Sequence, residues 1–180
     1  MTKKMSLDDG EVLPQSVPVS VIFERHPSTS RWQNYYWKVG GVVSGSHAEQ
    51  GEVSMVRQED GVSFFLVTGM EITLFRDECE SYYHNLKSPR PSVYVVARAP
   101  EDGEMDDDAP PDVFAVSLNF DYAHSSLEAD DLVYAVPVSP ELYRWSEGYI
   151  LENYVAEKRV KRKRQNWKQS GNFSAQRDGQ

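Results

Sequence analysis

Four histidines, one cysteine and an abundance of carboxylates are the side chains of this 180-residue chain most suited to chemistry, and their spacing decides what they could do. His26, His47, His84 and His124 lie in different segments and form neither an HxH nor an HExxH pattern. Cys79 and His84 stand five apart, which matches no standard ligand spacing on a strand or helix. A single cysteine excludes an intrachain disulfide and any cysteine-rich zinc or iron–sulfur site. Cys79 also lies between Glu78 and Glu80, whose charge disfavours the reactive thiolate. Gly45-Ser46-His47 lacks the GxSxG elbow, and no phosphate-binding glycine loop occurs. Asp106-Asp107-Asp108 sit among Pro and Gly, where a loop cannot hold an acid and a base in fixed geometry. The reading is a protein that is not an enzyme and carries no cofactor or metal.

Recognition chemistry is better represented. Six bases crowd seven positions, Lys158, Arg159, Lys161, Arg162, Lys163 and Arg164. Such a cluster suits an acidic protein, an acidic membrane or nucleic acid, and equally a solubilising tail. Trp32, Tyr35, Tyr36 and Trp37 fall within six positions and cannot all face one core. In a strand, Tyr35 and Trp37 share a face while Tyr36 points away. Arg25 or Arg31 could stack on these rings.

These groups must be positioned by a mainly β (α+β) domain. The chain is 39% apolar and 12% aromatic, enough for one core. Period-2 runs at 17–23, 35–43, 53–57, 62–67, 72–75, 93–97 and 113–120 predict six or seven antiparallel strands closing into a barrel or sandwich. Asp60-Gly61 marks a hairpin and Gly40-Gly41 a bulge or bend. Ser139-Pro140-Glu141 starts a C-terminal helix, and 121–131 suits a short one. The segment 81–86 favours a strand paired with 92–97, against a capping-box signal from Asp77 and Glu80 that favours helix. Expected core residues are Val19, Val21, Phe23, Val39, Phe64, Leu66, Leu74, Val93, Val95, Val116, Leu118, Leu142 and Trp145.

Charge divides the chain. The net charge is −9. Residues 1–157 carry 27 acids against 11 bases, whereas 158–180 carry eight bases and one acid. Residues 1–14 and 158–180 therefore read as disordered ends of a domain over 15–157, with an exposed acidic loop at 100–112. No apolar run reaches membrane-span length, and the N-terminus has no secretory pattern, so a cytoplasmic protein is expected. An acidic body argues against a protein that coats nucleic acid.

Five stretches carry a family resemblance: VSVIFERHP at 19–27, Arg31-Trp32 followed by Trp37, LFRDECESYYHNLKSPRP at 74–91, PSVYVVAR at 91–98 and VPVSPEL at 136–142. Over about residues 17–164 the chain resembles an uncharacterised bacterial domain-of-unknown-function family encoded in formate dehydrogenase gene clusters. The resemblance implies an accessory or assembly protein acting by protein–protein contact, its partner a formate dehydrogenase subunit or maturation factor. Candidate partner-binding residues are Arg31, Trp32, Trp37, Arg76, Asp77, Glu78, Asn85, Pro89, Arg90, Pro91, Lys161 and Arg162. A nucleic-acid-binding or regulatory small barrel, using the basic stretch, is the alternative.

Overall fold

The computed structural model describes residues 13–45, 51–101 and 103–154. The basic stretch with Lys161 and Arg162, and the terminal segments expected to be disordered, apart from Leu13 and Pro14, lie outside the described residues.

Among the described residues, seven strands form two antiparallel sheets rather than a closed barrel. Strands β1 (Ser16–Pro27), β2 (Tyr35–Ser44), β3 (Val53–Glu59) and β4 (Val62–Thr73) give one sheet in the order β2-β1-β4-β3. Strands β5 (Ser92–Ala97), β6 (Val113–Ser117) and β7 (Leu132–Pro137) give the other, in the order β6-β5-β7. Strand β2 lies against β7 and β4 against β6, so the sheets face one another as a sandwich. Strand β3 is the edge of its sheet, and no described strand pairs its outer side. Its Val53, Met55 and Val56 remain about half exposed.

Local chemistry explains the turns. Asp60 and Gly61 both take positive φ, 51° and 81°, the conformation of a tight two-residue hairpin between Glu59 and Val62. Opposite Ile22 and Phe23 the register skips from Gly41 to Val39, leaving Gly40 as the extra residue of a bulge. A Cβ there would fall 2.5 Å from the Glu24 carboxylate, so glycine permits the close approach.

Several expectations are corrected. The face of β4 is the opposite of that expected: Phe65 and Val67 are buried, while Phe64 and Leu66 are half-buried on the outer side. Residues 62–67 are apolar except Ser63, so period 2 could not choose a face. Pairing chooses it, because Phe23 opposes Phe65 and Val21 opposes Val67, and opposed residues share a side. A bulge at Thr68-Gly69, with Gly69 at φ 76°, then lets β4 run on to Thr73 without a break. Val39 is likewise only half-buried.

The segment 81–86 is helical, within α1 (Cys79–Leu86), which follows a 3-10 turn at Arg76–Glu78. Its buried Cys79, Tyr82 and Leu86 recur at helical, not strand, spacing. Strand β5 instead pairs with β6 and β7. Strand β7 was unforeseen, and β6 stops at Ser117 because Asn119 caps α2 (Phe120–Glu128). The C-terminal helix α3 (Pro140–Asn153) begins as expected, with the Ser139 hydroxyl accepting from Leu142 N at 3.3 Å. It packs on α1.

The acidic loop between β5 and β6 is mostly exposed, as expected, but it is anchored at two points. Met105 packs on the core and Pro111 is buried. The core itself centres on Phe23, which meets Trp37 and Tyr134 edge-on with ring centres at 6.3 and 5.8 Å.

Candidate functional site

The loop between β4 and α1 turns through the 3-10 segment, and its acids meet the start of α2 across a cleft of about 790 Å³. The cleft is lined by Asp77, Glu78, Glu80 and Asp121 at its acidic side, and by Tyr94 and Phe120 as its aromatic wall. Tyr94 and Phe120 meet edge-to-face at 6.2 Å, and Phe120 stacks on His124 at 6.1 Å.

The polar residues at its base hold the fold together. Asn119 Oδ1 caps α2 by accepting from Tyr122 N at 3.0 Å, and it also accepts from Ser81 Oγ at 2.8 Å. Asn85 Nδ2 donates to the carbonyls of Ser92 and Leu118 at 2.7 and 2.8 Å, and its Oδ1 accepts from Ser92 N at 3.0 Å. One buried amide thereby ties α1 to the start of β5 and the end of β6. Both of its donors and its acceptor are committed inside the protein.

Electrostatics disfavour the ionised forms of Cys79 and Tyr82. Burial, with the charge of Asp77 added, pushes the Cys79 thiol up, and the thiol contacts Phe75 O at 3.7 Å. Tyr82 is pushed up by burial and then by donating to Glu78 Oε2 at 2.5 Å, while its own oxygen accepts from Phe75 N. Ser81 faces an amide, not a base. Among the described residues no group of three or more His, Cys, Asp and Glu side chains is placed to hold a metal ion. What the arrangement can do is receive a cation: carboxylates attract it and ring faces stack on it.

The expected partner-binding residues divide into separate places. Asp77, Glu78 and Asn85 line the cleft, with Arg76 in the same turn. Pro89 and Arg90 are exposed and Pro91 half-buried in the turn after α1. Trp32, 92% exposed, and Arg31 sit in the β1–β2 connection. Trp37 is buried in the core, its indole N–H donating to Asp106 O at 2.7 Å. Glu80, Ser81, His84, Ser88, Tyr94, Asn119, Phe120 and Asp121 were missed as cleft residues. Asn119 before an acid at Asp121 was a readable helix-start signal. Glu80, Ser81 and His84 share α1 with Asn85, whereas Tyr94 and Phe120 join them only through tertiary packing.

The comparisons with known proteins add one match. The profile of a family described as "Protein of unknown function (DUF3305)" matches residues 18–164. No curated protein and no solved structure matches the chain.

Proposed function

Because the chain belongs to the DUF3305 family, a family of unknown function, we propose that it is a non-catalytic accessory protein that works by protein–protein contact. The carrying observation is the α1–α2 cleft, with four carboxylates beside a Tyr94–Phe120 wall and its base knitted by Ser81, Asn85 and Asn119. A basic segment of a partner fits it, an Arg or Lys stacking on the rings and pairing with the acids. The resemblance to proteins encoded beside formate dehydrogenase makes a subunit or maturation factor of that enzyme the first partner to test. Arg76 and Arg90, on the exposed turns flanking α1, form the rim of the same surface in this reading.

Affinity purification of the tagged protein during growth on formate is expected to recover such a subunit or factor. Glu80→Lys with Asp121→Lys should abolish the recovery. In the same assay charge reversal at Lys161 and Arg162 should weaken it less than the cleft substitutions, because shaped contacts on a rigid scaffold outlast a field that salt screens. Recovery of no dehydrogenase component, together with unchanged formate oxidation in a deletion strain, would retire the reading.

A further inference from the structure

Away from the cleft, the open end of the sandwich carries a concentration of hydrogen-bond donors. Arg25 lies near the end of β1, Asn34 precedes β2 and Trp37 lies on it. Arg25 Nη1 donates to Asp107 O at 2.8 Å and stands 3.7 Å from Asp108 Oδ1. Arg25 Nη2 donates to Ser63 Oγ at 3.3 Å. Asn34 Nδ2 donates to Asp107 Oδ2 at 2.7 Å, and Trp37 Nε1 to Asp106 O at 2.7 Å. Apart from Ser63, every acceptor comes from one three-residue turn of the acidic loop.

We propose that this cluster is a docking site for an acidic peptide, occupied here by the chain's own Asp106–Asp108 turn. The reading is independent of the α1–α2 cleft. Three observations carry it. The Arg25 guanidinium lies over Tyr35 at 4.5 Å and Phe65 at 5.5 Å, a stacking that fixes the plane in which its N–H groups point. Its Nε is buried with no hydrogen-bond partner among the described residues, so the loop leaves Arg25 incompletely satisfied. The Asp108 carboxylate that comes nearest is 96% exposed, and such a pair contributes little. A carboxylate that engages Nε and an Nη together makes the stronger forked pair the loop omits. Two consecutive main-chain carbonyls are read as well as charge, which selects polypeptide over nucleic acid.

The probe is a labelled peptide of residues 103–111, Gly-Glu-Met-Asp-Asp-Asp-Ala-Pro-Pro. The full chain binds it weakly, because its own loop fills the site. Met105→Gly combined with Asp107→Ser and Asp108→Ser loosens the loop and should tighten binding by about tenfold or more, the factor by which a site closed nine-tenths of the time recovers. Adding Arg25→Gln should then remove binding, and a peptide with Lys in place of its three Asp should not bind. Should Arg25→Gln fail to fold, Asn34→Ala at the exposed edge should weaken the peptide severalfold. Hydrogen exchange of the unaltered protein needs no variant: saturating peptide should speed exchange of the 103–111 amides and leave β5 and β6 unchanged. Equal affinity before and after loosening, in protein with intact near-ultraviolet circular dichroism, would overturn the proposal. Loop exchange that saturating peptide leaves unaltered would do the same.

Discussion

Phe64 and Phe65 are neighbours with opposite fates, and the difference is energetic. Phe65 is buried between Trp37, whose ring lies 5.2 Å away, and the Arg25 guanidinium, whereas Phe64 is half-buried beneath Arg57. Phe65→Ala should cost about 3–5 kcal/mol in urea denaturation, the range for emptying an aromatic core site. Phe64→Ala should cost less than half as much, and the reverse order would invert the sheet. Tyr82 makes a prediction about alkali. Its phenol titrates above the ordinary value of 10 in the folded state, because burial and then the Glu78 hydrogen bond favour the neutral form. A raised folded value contributes stability that is complete below the unfolded value and is lost as pH climbs past it. Stability should therefore fall as pH rises above about 10. Tyr82→Phe should flatten that fall, measured as denaturation midpoint against pH, and an unchanged slope would remove Tyr82 as its source.

At the scale of elements, the strands were legible where one face alone is buried. Val19, Val21 and Phe23 are the large buried side chains of β1 and recur at period 2, so its core face could be read directly although Ser20 on the other face is also buried. The hairpin at Asp60-Gly61 and the start of α3 at Ser139-Pro140 were legible because each rests on local backbone chemistry. Strand β4 was misread because both its faces are apolar. Helix α1 was misread because Tyr82, Tyr83 and the prolines beyond it suit a strand locally, while the contacts that decide it, from Asn85 to Ser92 and Leu118, are distant. The candidate cleft was half legible: Asp77, Glu78 and Asn85 stood in one block, but Tyr94, Asn119 and Asp121 come from two other elements. Asn85 offers the test at this scale. Asn85→Ala leaves the buried carbonyl of Leu118 without its donor, which should cost about 1–3 kcal/mol for each buried group left unpaired. Asn85→Asp, which cannot donate, should do no better, and near-neutral results for both by thermal denaturation would mean that water replaces the amide.

For the molecule as a whole, the two sheets differ in width, and the four-stranded one extends beyond its partner at β3. The three-stranded sheet ends at β6, which lies against β4, so Val53 and Met55 project past the covered core while Val56 fills a bulge. Charge does not protect this margin along its length, because Arg57 and Glu59 sit only at its hairpin end. A strand edge left unpaired among the described residues, with exposed valines and a methionine, is a template on which other chains can add by the same backbone ladder that holds the sheet. The protein should accordingly be limited in concentrated solution by colloidal stability rather than by unfolding. Val56→Lys, which puts a gatekeeper charge on that margin, should lower light scattering and thioflavin fluorescence during weeks of storage and leave the melting temperature within a degree or two of its original value. If scattering instead tracks the melting temperature across variants, aggregation begins from the unfolded chain. If it follows the residue at position 56, the extra width of one sheet sets how long the native protein stays in solution.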